Sequence, residues 1–125
     1  MTLLPLGRGC KWLGASVVRW GPAVAWMSFI FYLSSQAQLP GPEVVPAQSY
    51  LEHLVAYAIL GALLQRAFHS RSAAAGIIWG SLYGVSDELH QHFVPPRTAS
   101  AADLLTDVIG VVCGALLFAR LRRQD

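Results

Sequence analysis

The chain has 125 residues, of which 54% are hydrophobic and 13% charged, with a formal net charge of +2. About a quarter charged is usual in a soluble domain, so the composition excludes an ordinary water-soluble monomer, and the length leaves room for one domain only. Its dispersed Lys and Arg residues point away from a nucleic-acid partner, and Cys10 and Cys113 make neither a disulfide framework nor a zinc spacing.

Four apolar stretches approach the roughly 20 residues that a membrane-crossing helix needs, each on the short side. The expected fold is therefore all-α, a transmembrane four-helix bundle. The first span covers about 19–36, with Pro22 in its first turn, where a missing N–H does no harm. Arg19 marks its start or snorkels to the headgroups. A loop with Pro40, Pro42 and Pro46 then rules out a continuous helix. The second span, about 49–68, and the third, about 73–93, are joined by the short polar segment HSRS, as in a helical hairpin. After VPPRTAS the fourth covers about 102–119, and a basic tail follows.

Short loops that hold Lys and Arg stay on the cytoplasmic side. With four spans, Arg8, Lys11, Arg19, Arg66, Arg71, Arg120, Arg122 and Arg123 share one side, and Arg97 alone lies opposite. Both termini are thus expected in the cytoplasm, in a multi-pass protein of the bacterial inner membrane. Ser35-Gln36-Ala37 has the small-x-small look of a signal cleavage site. Cleavage there would leave three spans and break the charge sorting, so the uncleaved reading is adopted.

Acidic residues sort the other way. Glu43, Glu52, Asp87, Glu88, Asp103 and Asp107 fall in the outer loops or outer halves of spans, beside Ser34, Ser35, Gln36, His53, Tyr57, His90, Gln91, His92, Arg97 and Ser100. Helical spacing places His53, Tyr57 and Gly61 on one stripe, Asp87 with His90 and Gln91 on another, and Asp103 above Asp107. At 1.5 Å of rise per residue, His53 and Asp107 lie roughly 6 to 8 Å below the outer boundary. Ionisable groups that deep are costly against lipid, so these faces turn inward and form a polar pocket open to the outside. Gly76, Gly80 and Gly84 on the third span, with Gly110 and Gly114 on the fourth, form GxxxG steps. These two helices are expected to touch along them.

With HLVAYAILGALL and GSLYGVSDELHQHFVPPRTASAADLLTDVIGVVCGALL in view, the chain resembles the VanZ-like family, small membrane proteins named after a teicoplanin-resistance protein. The most specific match is Asp87, Glu88, His90, Gln91, Phe93, Val94, Pro95 and Arg97, followed by Asp103, Asp107 and Gly110. The family's SSQ (Ser34 to Gln36) and HxxxYxxLG (His53, Tyr57, Leu60, Gly61) precede it in order. Two positions depart from the pattern. Tyr50 stands where members often carry a Lys three residues before the histidine, and Pro96 replaces the usual Gly. The resemblance implies a cell-envelope protein linked, in its namesake, to glycopeptide antibiotic resistance, without implying a reaction.

Asp87, Glu88 and His53 are the candidates for acid-base chemistry; the alternative is structural pairing, with Asp87 turned inward and Glu88 meeting water or headgroups. His53 with Tyr57 is either a proton-handling pair or interhelical glue. A metal site from His53, Asp87, His90 and Asp107 is chemically possible, but no dense motif such as HExxH supports it, and no metal or other cofactor is expected. Arg97 is expected to bridge to Asp87, Asp103 or Asp107; the alternative is a grip on the phosphate or carboxylate of a lipid-linked substrate. Trp12, Trp20, Trp26 and Trp79 read as interface anchors and packing. The ligand-facing network is thus expected to comprise His53, Tyr57, Asp87, Glu88, His90, Gln91, Arg97, Asp103 and Asp107. Its occupant would be an envelope lipid, a lipid-linked precursor or a lipophilic glycopeptide. The rivals are an accessory subunit of a larger membrane complex and an acid-base hydrolase or transferase acting on a lipid.

Overall fold

Four apolar runs separated by proline- and serine-rich turns fold into four helices, each antiparallel to the next: α1 (Arg8–Ser34), α2 (Pro46–Phe68), α3 (Ala74–His92) and α4 (Ala101–Leu121). The computed structural model describes residues 8–36, 46–95 and 97–124, with no strand among them. Ala37, Pro40, Pro42, Glu43, Pro96 and Asp125 lie outside the described residues, as do the side chains of Arg8, Cys10 and Lys11.

The helix ends show why the boundaries fall where they do. Ser100 caps α4 by accepting from the Asp103 N–H at 3.3 Å, which satisfies one of the donors every helix start leaves open. Helix α2 stops at His69, whose φ of 56° is left-handed, a conformation that ends helices and that non-glycine residues adopt at a cost. Two of its last carbonyls, on Ala67 and Phe68, are taken by the Arg19 guanidinium.

Helix α1 corrects an expectation. It begins at Arg8, not near Arg19, and Pro22 sits inside it. The proline removes the N–H that would bond Val18 O. Arg66 of α2 supplies the replacement, donating from Nη1 and Nη2 to Val18 O and from Nη1 to Arg19 O, each at 3.2 Å. Arg19 and Arg66 therefore exchange caps. Each satisfies carbonyls on the other's helix, so the proline bends no unsatisfied group into an apolar surface.

Glycines set the closest seam, and it runs between α2 and α4. A Cβ built on Gly114 would fall 1.8 Å from Ala58 O, and one on Gly61 2.3 Å from Val111 O. Backbone meets backbone there. The expected α3–α4 contact exists at Gly80, against Val111, and at Gly84, against Asp107. Gly110 and Gly114 instead face α2, and Gly76 faces Gln65 of α2. A GxxxG step tells only that a helix offers a flat face, not which neighbour takes it. Gln65 also ties the α2–α3 turn, donating to Ser70 O at 2.8 Å and Ser72 O at 2.9 Å.

The bundle is apolar outside, and inside it an apolar core around Leu60, Leu64 and Val111 encloses several polar groups. Trp79, Leu82, Val85, Leu89, Leu105, Ile109 and Leu117 are exposed, whereas Ser34, Gln65, Asp87, Glu88, Gln91 and Asp107 are buried. Among the described residues one helix, Ala101–Leu121, is long and apolar enough to cross a membrane by length and composition, with a mean hydropathy of 2.0. Arg19, Arg66 and Arg122 gather around a cleft at one end, away from the buried carboxylates of Asp87, Glu88 and Asp107.

Two stability measurements in detergent test this architecture. Gly114→Val is expected to destabilise the bundle by about 3 kcal/mol or more, since only backbone could yield. Gly14→Ala, where a Cβ meets nothing within 4 Å, should change stability by less than about 0.5 kcal/mol. Arg66→Ala should lose much of its effect in a Pro22→Ala background, with a coupling of at least about 0.5 kcal/mol; additive losses would contradict the shared-carbonyl account.

Candidate functional site

Asp87 lies in the last third of α3, where the helix passes the C-terminal end of α1 and the middle of α2. Its carboxylate accepts from Ser34 Oγ, from Tyr57 Oη at 3.0 Å and, one helical turn on, from Gln91 Nε2 at 3.2 Å. Gln91 Nε2 also donates to Ser34 Oγ at 2.8 Å. Each of these residues is at most 4% exposed, so the donors replace water that cannot reach the carboxylate. Gly84 packs beside Tyr57, whose ring would be in ordinary van der Waals contact with a Cβ there, at 3.4 Å. Trp26 Nε1 to Ala56 O at 2.8 Å and Tyr83 Oη to Met27 O at 2.6 Å fasten α1 beside this network.

A second group lies next to the first. His53 Nδ1 and Asp107 Oδ1 are 2.8 Å apart, joining the first turns of α2 to those of α4. Glu88 approaches the same pair, and one ligating atom from each of His53, Glu88 and Asp107 lies within 4.8 Å of the others. Glu88 Oε2 accepts from the Ser100 N–H at 2.8 Å, pinning the start of α4. Asp107 Oδ2 and Glu88 Oε1 are buried without a hydrogen-bond partner among the described residues.

Between α1, α2 and α3 a cleft of about 270 Å³ opens, with Ser34, Tyr57, Asp87 and Gln91 at its polar side, Glu52, His53 and Arg97 also lining it, and Ile30, Leu33 and Ala56 as apolar wall. Such a surface suits a ligand with one polar and one apolar part.

Of the residues singled out from the sequence, His53, Tyr57, Asp87, Gln91 and Arg97 line this cleft, while Asp107 and Glu88 form the group beside it. Two expectations are corrected, and the alternative that turned Glu88 to water is excluded. Glu88 does not face solvent; it is 6% exposed, because adjacent helical positions diverge and this one points to the start of α4, where free N–H groups attract a carboxylate. Arg97 makes no ion pair with Asp87, Asp103 or Asp107 among the described residues. Its Nη1 donates to Leu33 O and Ser34 O at 3.4 and 3.3 Å, two of the last carbonyls of α1; Leu33 O also accepts from the Gln36 N–H at 3.1 Å. His90 turns away from Asp87, sharing a 3.0 Å hydrogen bond with Ser35 Oγ and stacking on Phe31. Asp103 occupies the first turn of α4.

Ser34 and Glu52 belong to the cleft without having been singled out for it. Ser34 had a signal, the SSQ run closing an apolar helix; Glu52 had only its place beside His53. Ser100 was placed at this end by the sequence, but its bond to Glu88 was not legible, because the donor there is the backbone N–H.

Compared with known proteins, residues 20–122 match a family described as VanZ/LLP1. No curated protein and no solved structure gives a significant match.

The Asp87 network makes a measurable prediction. In a double-mutant cycle, Tyr57→Phe and Asp87→Asn should be coupled by at least about 0.5 kcal/mol in detergent unfolding. A coupling near zero would mean that the hydroxyl and the carboxylate do not act together.

Proposed function

The chain belongs to the VanZ-like family, and from that premise we propose a multi-pass protein of the bacterial cytoplasmic membrane, both termini cytoplasmic, whose cleft engages an envelope lipid or lipid-linked precursor at the outer leaflet. Four spans are supported by the apolar exterior, since a surface rich in exposed Leu, Ile, Val and Trp suits acyl chains and would drive association in water. Orientation follows from the basic end, which the positive-inside rule assigns to the cytoplasm.

The observation that supports lipid engagement most is the make-up of the cleft: an aliphatic wall from α1 and α2 beside Arg97, His53 and Glu52. A headgroup and the first carbons of its chain present the matching pair of surfaces. Arg97 is the cation suited to an anionic headgroup, because a guanidinium offers five donors in a fixed fork and keeps several after bonding the α1 carbonyls. A lipophilic glycopeptide has the same two-part character and competes for the same cleft. An acid-base hydrolase or transferase is the second reading, favoured by the unpartnered oxygens of Asp107 and Glu88, since ionisable groups without partners recur at reacting centres.

The test is Arg97→Ala and Arg97→Lys, followed by quantitation of the protein in membranes and of the lipid that co-purifies with it. Normal protein with several-fold less bound anionic lipid in both variants is the expected result. Loss of the protein itself would show that Arg97 serves only to hold the loop, as in an accessory subunit. Unchanged lipid would overturn the role given to the cleft.

A further inference from the structure

The group beside the cleft has an imbalance that the Asp87 network lacks. Asp87 collects donors from Ser34, Tyr57 and Gln91. Asp107, 0% exposed, and Glu88, 6% exposed, each keep one buried carboxylate oxygen that no donor reaches. Among the described residues, His53 is the one basic side chain bonded to Asp107, and Arg97 is turned to the carbonyls of α1. Two buried carboxylates that share one imidazole and keep open oxygens favour a bound cation, which no other described side chain supplies.

We propose that His53, Glu88 and Asp107 form a binding site for a divalent first-row metal ion, Mn2+ or Zn2+. Metal–ligand bonds of about 2.0–2.2 Å place donors roughly 3 to 4.4 Å from one another; here the three ligating atoms lie within 4.8 Å, so the side chains would draw together slightly around an ion. One imidazole with two carboxylates is a mixed nitrogen and oxygen set, which suits manganese or zinc, whereas calcium and magnesium prefer oxygen alone. The three ligands come from three helices, α2, α3 and α4, so the ion would clamp the bundle at the end opposite Arg19, Arg66 and Arg122. His53 also lines the cleft, which provides an entry path. The ligand set differs from the one the sequence suggested: Glu88 takes the place of Asp87, which is saturated by its donors, and of His90, which faces α1.

Full-length protein, purified in mild detergent and stripped with a chelator, is titrated with Mn2+ alone and followed by electron paramagnetic resonance, with Zn2+ as competitor. The site predicts one ion per chain, displacement by Zn2+, a raised unfolding temperature and nitrogen modulation of the bound Mn2+ spectrum from the His53 imidazole. Glu88→Gln and Asp107→Asn should each weaken binding at least ~10-fold. Absence of saturable binding of either metal up to on the order of 1 mM, bound Mn2+ without nitrogen modulation, or unchanged affinity in both carboxamide variants would each overturn the proposal. Should a variant fail to fold, the wild-type nitrogen signal decides alone. Lipid engagement by the cleft stands apart, tested by co-purification at Arg97.

Discussion

A carboxylate shut away from water must be met by donors, and Asp87 is met by three, from α1, α2 and its own helix. That requirement organises the polar end of the molecule. Ser34 has to end α1 at the level of Asp87, and Tyr57 has to reach across from α2. The cleft is what remains between these three helices once their polar faces have found one another. In an apolar medium such bonds have no competition from water, so they specify which helix faces meet as well as holding them together.

The two ends of the bundle solve the same problem with opposite chemistry. At the basic end, exposed backbone carbonyls are the groups in need, and Arg19 and Arg66 supply N–H donors across the α1–α2 contact. At the other end, carboxylates are in need, and hydroxyl, amide, imidazole and backbone N–H groups supply them. Between the two, α2 and α4 approach until backbone touches backbone at Gly61, Gly110 and Gly114. Dispersion over that flat seam fixes α4 against α2, and this places Asp107 beside His53. Packing in the middle of the bundle thus decides which titratable groups meet at its end.

The four helices were legible because each is a long apolar run closed by proline, serine or a polar turn, and the sorting of basic and acidic residues to opposite ends followed from the same reading. What escaped the sequence depended on partners. Pro22 looks like a helix start until Arg66, far away in the chain, is seen to bond the carbonyl it strands. Gly110 and Gly114 advertise a flat face without naming the helix that uses it. Glu88 looks like the outer member of an adjacent pair, and only the position of Ser100 shows that its direction is also buried. Arg97 has three carboxylates within reach on a helical wheel, yet the end of α1 offers carbonyls that its spacing cannot reveal. Periodicity reports which face a residue occupies; it is silent on what stands opposite.

The central claim is that the apolar exterior meets lipid while the polar groups are enclosed. Spin labels placed in reconstituted bilayers at Val55, Leu82 and Ile109, all exposed on the helices, measure this directly through collisions with molecular oxygen and with a water-soluble nickel chelate. Oxygen access well above nickel access at all three positions is the predicted result. Equal or greater access for the nickel chelate would place these faces in water and contradict the account.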